Sequence, residues 1–158
     1  MKNIKFFALF FGFLFQASMI LYSQPKTLKW YTDYSAATQQ AVKEKKPVLL
    51  FFHGSDWCPP CIKMQKEVFA SEDFISFAKS RLIFVDVDFP YKNKLSEEQL
   101  THNKSLKKKF GLPEEVSQGY PQVVIIDPTG KVLYQEKGYT DEGPKKLKAK
   151  ISSILEVK

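Results

Sequence analysis

Both cysteines of the chain lie in the segment Gly54-Ser55-Asp56-Trp57-Cys58-Pro59-Pro60-Cys61, directly after the apolar run Val48-Leu49-Leu50-Phe51-Phe52. The apolar run has the length of a strand, and its continuity predicts burial on both faces of a sheet. Pro59 predicts the start of a helix, because backbone N–H groups at the first helical positions have no intrahelical partner. The two segments therefore predict a strand, a short loop, a Cys-x-x-Cys pair and a helix, in that order.

This order of elements makes the first cysteine reactive. A thiolate at a helix N-terminus is stabilised by the helix dipole and by unpaired N–H groups, so the pKa of the Cys58 thiol is expected to be lowered. Cys61 is near enough to displace whatever Cys58 has captured. The pair is therefore predicted to act by dithiol/disulfide exchange.

The rest of the chain predicts an α/β fold with the element order β-α-β-α-β-α-β-β-α. Apolar runs predict strands at 27–31, 48–53, 82–88 and 121–127, and the turn Asp127-Pro128-Thr129-Gly130 predicts a hairpin to a strand at 131–135. Helices are predicted at 34–46, from Pro59 with a bend near Ser71, at 96–110 with Ser96 and Gln99 as a capping box, and at 141–157.

Size and charge exclude several functions. The 158 residues, 44% of them hydrophobic, are enough for one packed domain. The net charge is +7, but the lysines at 104–109 and 145–150 are spaced like the solvated faces of two helices. Arg81 is the only arginine, so the chain has almost no means for bidentate recognition of phosphates or bases. We expect a monomer with no nucleic-acid partner.

Residues 1–23 are predicted to be a secretory signal. Two lysines precede the apolar run from Phe6 to Phe15, which is the arrangement of an export signal. Cleavage would leave a domain at 24–158 that is periplasmic or secreted. The alternative is an uncleaved membrane anchor, since residues 6–22 are just long enough to span a bilayer.

The chain resembles the thioredoxin superfamily over residues 26–157. The segment from Trp57 to Cys61 is similar to the Trp-Cys-x-x-Cys signature of that family, and Gly119-Tyr120-Pro121 resembles its cis-proline segment. The resemblance implies a thioredoxin-like fold, in which a mixed central sheet is flanked by helices. It implies that Cys58 attacks, that Cys61 resolves, that Pro121 follows a cis bond, and that Trp57, Tyr120 and Pro121 bind the substrate.

The resemblance also implies protein disulfides as substrates. No cofactor is expected, so a separate thiol electron donor would have to reduce the Cys58–Cys61 disulfide after each turnover.

One position departs from the family pattern. Many thioredoxins carry a buried carboxylate six residues before the first cysteine, where it is thought to help deprotonate the second; here that position is Phe52. Three residues are candidates for the missing proton transfer: His53, Asp56 and Glu67. The stretch from Leu112 to Gln118 is longer than the corresponding loop of plain thioredoxin, and it could influence the choice of partner.

The pair Pro59-Pro60 predicts the direction of electron flow. Two prolines remove two N–H groups that would otherwise point toward the Cys58 thiolate, which leaves the Cys61 N–H as the nearest donor. A less stabilised thiolate has a higher pKa and gives a more reducing couple, for which we expect a potential of roughly −200 to −270 mV.

Three other functions stay open from the sequence. Cys58 and Cys61 could form a structural staple, as disulfides often do in exported proteins. Together with His53 they could bind copper or zinc, because thiolates and imidazole are suitable ligands for both metals. The domain could also be a protein-binding module with little turnover.

Overall fold

The computed structural model describes residues 27–113, 119–140 and 142–156. The predicted signal at 1–23 lies outside these residues, as does most of the predicted loop at 112–118. Within the described ranges, no helix has both the length and the apolar composition that crossing a membrane requires.

The strands and helices follow the predicted order. The strands are β1 (Trp30–Tyr31), β2 (Val48–His53), β3 (Ile83–Asp88), β4 (Gln122–Ile126) and β5 (Val132–Lys137). The helices are α1 (Tyr34–Glu44), α2 (Pro59–Met64), α3 (Glu72–Ala78), α4 (Glu97–Lys109) and α5 (Gly143–Glu156). A π-helical turn, Gln65–Phe69, extends α2. Ser71 caps α3 by accepting a hydrogen bond from the Phe74 N–H, so the predicted bend near Ser71 is confirmed.

The five strands form one mixed sheet in the order β1-β3-β2-β4-β5. β1 and β2 each pair with β3 in parallel, whereas β4 is antiparallel to both β2 and β5. Every residue of β2 is buried, as its continuous apolar run predicted. The reactive segment therefore starts at the end of the central strand, where neighbouring strands fix its position.

Helices cover both faces of the sheet. Leu49 and Phe51 of β2 belong to a core that includes both cysteines and residues of α2, α3 and α5. Leu50 and Phe52 face the opposite side and pack in a second core with residues of α1 and α4. Because side chains alternate along a strand, His53 lies on the same face as Phe51.

Two local predictions need correction. Strand β1 consists only of Trp30–Tyr31 and does not extend over 27–31. The capping box at the start of α4 is half formed: Ser96 accepts a hydrogen bond from the Gln99 N–H, but the Gln99 side-chain amide donates to the Thr32 carbonyl. This long-range bond replaces the local one because α4 packs beside the end of β1.

Candidate active site

The two cysteines form a disulfide bond at the start of α2, with their Cα atoms 5.3 Å apart. Cys58 occupies the N-cap position, outside the helix, and Cys61 lies in its first turn. Cys58 retains 3% of its surface exposed, whereas Cys61 retains 0%. Both cysteines are therefore buried, and Cys61 is the more completely enclosed of the two.

Pro59 and Pro60 occupy the first two helical positions, as predicted. The Cys61 N–H, predicted to be the nearest donor to the sulfur of Cys58, donates instead to the Cys58 carbonyl at 3.0 Å. The Ile62 N–H donates to the same carbonyl at 3.1 Å. The helix start consequently offers few unpaired N–H groups to a thiolate at Cys58.

Trp57 packs against the core that contains both cysteines, and it is held at two points. Its indole Nε1–H donates to the Phe89 carbonyl at 2.7 Å, and its ring meets the Tyr120 ring edge-on with centroids 6.0 Å apart. The indole also lies over Gly54, where an added Cβ would come within 2.2 Å of the ring. Gly54 is therefore required by the position of Trp57.

The loop before Cys58 is fastened to the end of β3 by consecutive side chains. The N–H and hydroxyl of Ser55 donate to the two carboxylate oxygens of Asp88 at 2.9 and 2.6 Å. The carboxylate of Asp56 accepts hydrogen bonds from the N–H groups of Tyr91, Lys92 and Asn93 at 2.7, 2.7 and 2.9 Å. With the bond from Trp57 to Phe89, these contacts hold residues 55–57 against what we term the 89–93 loop.

The sequence analysis missed the 89–93 loop as part of the site. The bonded residues lie 32 to 37 positions apart in the chain, and no local pattern signals a contact at that separation. The only feature of the sequence that could have indicated this loop is the polar stretch that follows β3.

The pKa of the Asp56 carboxyl is lowered from its ordinary value of 3.8, chiefly by the hydrogen bond from the Tyr91 N–H. A carboxylate with a lowered folded-state pKa stabilises the structure above its unfolded pKa of about 4, and that stabilisation is lost as the pH falls through the folded value. The contact with the 89–93 loop is thus complete at neutral pH.

Acidification is therefore expected to release the 89–93 loop only below about pH 4. Backbone amide NMR signals of Tyr91, Lys92 and Asn93 should shift together in one transition below the ordinary carboxyl pKa. In Asp56→Asn that transition should be missing, while the amide of Leu82, which donates to the Ala78 carbonyl, serves as an internal control. A transition at or above the ordinary value would contradict the assignment.

The bond between Tyr120 and Pro121 is cis, as the resemblance implied. The Tyr120 ring turns inward and also packs against Phe89, with centroids 5.8 Å apart. Its hydroxyl is buried without a hydrogen-bond partner among the described residues, and burial raises the pKa of that hydroxyl.

Lys107 contradicts the prediction that the lysines of α4 form a fully solvated face. It is buried, and its ammonium lies 5.2 Å from the ring centre of Phe89 and 5.6 Å from that of Tyr120. Cation–π attraction of this kind accounts for its burial against two aromatic rings.

His53, a candidate for proton transfer, is buried at the end of β2. Its Nε2 lies 2.5 Å from Oδ1 of Asp86 and its Nδ1 lies 3.8 Å from Oδ1 of Asp88. The imidazole stacks on Phe51 with ring centroids 4.3 Å apart, and Nδ1 has no hydrogen bond among the described residues. His53 therefore lies on the cysteine-bearing side of the sheet with one ring nitrogen unpaired.

Two further positions were singled out from the sequence, Glu67 and Phe52. Glu67 is exposed on the π-helical turn, and its carboxylate accepts a hydrogen bond from the Tyr139 hydroxyl at 2.7 Å. Phe52 is fully buried in the second core, on the sheet face opposite the cysteines.

The proposed metal ligands are not grouped. Within residues 27–113, 119–140 and 142–156, no cluster of three His, Cys, Asp or Glu residues is placed to hold a metal ion.

Comparison with known proteins decides the family. Residues 34–153 match the model of a thioredoxin-like domain. The chain belongs to the thioredoxin-like family. The resemblance inferred from Trp57 to Cys61 and from Pro121 is thereby confirmed, and so is the fold class.

This thioredoxin-like protein is similar to two proteins of Chlamydia pneumoniae. It is 38% identical to the disulfide bond reductase DsbH over 131 residues. This alignment covers 83% of this chain and 75% of DsbH. It is 28% identical over 130 residues to the thioredoxin-related protein DsbJ, covering 82% of this chain but only 36% of DsbJ. A solved structure of a DsbH oxidoreductase has a TM-score of 0.72 at 38% identity, covering 84% of this chain and 87% of that one.

The thioredoxin-like protein is a thiol–disulfide oxidoreductase. Its family, its similarity to DsbH and the bonded pair Cys58–Cys61 agree on that activity. The individual roles inferred for Trp57, Tyr120 and Pro121 stay predictions.

Proposed function

We propose that the protein reduces disulfide bonds in exported proteins, with Cys58 as the nucleophile and Cys61 as the resolving thiol. The observation that carries this proposal is the Cys58–Cys61 disulfide at the start of α2, with Cys58 at the N-cap, outside the helix, and Cys61 within its first turn. In this proposal the cis bond before Pro121 and the ring of Trp57, which packs against the Tyr120 ring, form the substrate-binding edge.

The exchange has two steps. The Cys58 thiolate attacks one sulfur of the substrate disulfide, whose S–S bond breaks as the Cys58–substrate bond forms, and one substrate thiolate leaves and takes up a proton. Cys61 then loses its proton and attacks Cys58, which releases the second substrate thiol and forms the Cys58–Cys61 disulfide. Two electrons pass to the substrate, and a separate thiol donor must return them.

Three residues were predicted to assist deprotonation of Cys61. Asp56 is half-buried and Glu67 is exposed, and both carboxylates already accept hydrogen bonds. His53 is buried on the side of the sheet that carries the cysteines, and its Nδ1 forms no hydrogen bond with the residues that the structure describes. Burial and position therefore favour His53.

The reducing direction is supported by the helix start. Pro59 and Pro60 supply no N–H groups, and the Cys61 N–H is engaged by the Cys58 carbonyl. A thiolate with few donors is less stable, so the dithiol form gives up its electrons more readily. The similar protein DsbH is named a disulfide bond reductase.

Restoring an N–H group at the helix start is expected to make the protein more oxidising. Pro59→Ala and Pro60→Ala should each move the potential in the positive direction by about 30 mV, the equivalent of about 1.4 kcal/mol. Equilibration with glutathione, followed by alkylation and mass spectrometry, measures the potential. Pro128→Ala in the hairpin turn is the matched control and should leave it unchanged.

A wild-type potential near −120 mV, the range of strong oxidants, would contradict the reducing direction. So would a shift to more negative potentials in both variants at the helix start.

Insulin reduction with dithiothreitol as donor tests the function itself. Turnover well above background that is abolished in Cys58→Ser is the expected result. Background activity together with tight binding of insulin would favour the binding module with little turnover.

A further inference from the structure

Tyr91 stands out among the large apolar side chains of the described residues, because 82% of its surface is exposed. A single exposed aromatic residue is ordinary on a protein surface and needs no explanation. Tyr91 is different because the backbone that carries it is firmly held.

The segment that precedes Cys58 holds the backbone around Tyr91 in place through hydrogen bonds. Asp56 accepts hydrogen bonds from the N–H group of Tyr91 at 2.7 Å and from those of the next two residues at 2.7 and 2.9 Å. Two positions earlier, the Phe89 carbonyl accepts the indole N–H of Trp57 at 2.7 Å. The loop cannot readily fold back to bury the ring, so the ring stays in water.

Tyr91 is tied to a residue that is close to Cys58 in the chain. Asp56 is two residues before Cys58, and two residues span at most about 7 Å. Ile62, on α2 just after Cys61, is 48% exposed and adds apolar surface near the pair. A substrate chain bound at Cys58 therefore has exposed aromatic and aliphatic surface within reach.

Two lysines lie on the same loop as Tyr91. Lys92 and Lys94 are exposed, and neither forms an ion pair within the part of the chain that the structure describes. The negative charge of Asp56 is directed at three N–H groups. The nearest acidic residues along the chain are also engaged: Asp88 accepts two hydrogen bonds from Ser55, and Glu97 and Glu98 lie in the first turn of α4, where the helix dipole stabilises them. A positive surface of this kind attracts acidic segments.

We propose that Tyr91, Lys92 and Lys94 form a docking surface for the polypeptide that flanks the substrate disulfide. The surface selects segments in which acidic and apolar residues adjoin the reacting cysteine. The proposal rests on the proposed reductase function and adds a preference among substrates to it.

The test uses pre-reduced protein in single turnover with synthetic peptides of equal length that share one internal disulfide. One peptide carries Glu and Leu beside the cysteines, and the other carries Lys and Leu at the same positions. Bis(2-hydroxyethyl) disulfide, which has no flanking chain, reports the reactivity of Cys58 alone. We expect the wild-type protein to reduce the acidic peptide several-fold faster than the basic one, with a difference that shrinks as salt is added.

Variants distinguish the contribution of the Tyr91 ring from that of the two lysine charges. Tyr91→Ser should lower the ratio of the acidic-peptide rate to the small-disulfide rate about tenfold. The main cause should be a higher peptide concentration at the half-maximal rate. Lys92→Gln with Lys94→Gln should remove the preference for the acidic peptide together with its salt dependence. Asp56→Ala should reproduce the loss seen in Tyr91→Ser, and combining the two should add little, because both act through the same ring.

Matched controls lie on the other side of the sheet. Val42→Ser removes an exposed apolar side chain from α1, and Lys43→Gln with Lys104→Gln removes two exposed charges from α1 and α4. Both helices pack on the face opposite the cysteines, so these variants should keep the wild-type rates and the wild-type preference.

The outcomes distinguish the two proposals. Equal rates for the acidic and basic peptides, or an unchanged ratio in Tyr91→Ser, would overturn the docking surface alone. Failure of the wild-type protein to reduce any of the three disulfides would overturn the reductase function, and the docking surface with it.

Discussion

Replacing Cys61 with serine is expected to turn the protein into a covalent trap for its substrates. Cys58 still attacks a substrate disulfide, but no internal thiol remains to break the mixed disulfide that results. Because Cys61 acts from within the same molecule, its loss should slow release by at least about 10³-fold at millimolar external thiol. Non-reducing electrophoresis with insulin, followed by mass spectrometry of the conjugate, measures the trapped fraction.

The matched variant is Cys58→Ser, which should form no conjugate. Its remaining sulfur, on Cys61, belongs to a residue with 0% of its surface exposed, compared with 3% for Cys58. Trapping by Cys58→Ser and not by Cys61→Ser would mean that the two roles are reversed. If neither variant traps a substrate, the pair is a structural staple.

Replacing Gly54 with alanine is expected to destabilise the protein although only one methyl group is added. The new Cβ would lie 2.2 Å from the indole of Trp57, a ring that is held by its hydrogen bond to Phe89. Relief of this overlap requires movement of the ring, at a cost of about 1–3 kcal/mol in the free energy of unfolding. Substrate reduction should fall as well, because Trp57 directly precedes Cys58. Denaturant unfolding and insulin reduction measure the two effects.

The same substitution in a Trp57→Ala background tests whether the overlap with the Trp57 ring is the cause of the destabilisation. Once Trp57→Ala has removed the ring, adding Gly54→Ala should be nearly neutral, or stabilising by about 0.4–1 kcal/mol through the unfolded chain. The two substitutions therefore should not be additive. Equal destabilisation by Gly54→Ala in both backgrounds would show that the contact with Trp57 is not the reason for glycine at this position.

Much of the fold could be predicted from local sequence pattern. The run from Val48 to His53 predicted a strand buried on both faces, and Pro59 predicted the helix that follows. Both predictions are confirmed because burial on two faces and the absence of an N–H group are properties of the residues themselves. The alternation of strands and helices, with the two cysteines between them, was enough to indicate redox chemistry.

The tertiary structure decided how the reactive segment is held. Nothing local to Ser55, Asp56 or Trp57 indicates that each bonds to a residue more than thirty positions away on or after β3. The burial of Lys107 against the rings of Phe89 and Tyr120 was also missed, because its neighbours on α4 are solvated lysines.

The difference has a physical reason. Hydrophobic periodicity and helix-start chemistry act between residues that are close in the chain, so the sequence by itself determined the strands, the helices and the reactive pair. Hydrogen bonds between loops depend on which strands become neighbours in the sheet. The pairing of β2 with β3 brings the 89–93 loop to the segment that precedes Cys58, and only the assembled sheet fixes that pairing.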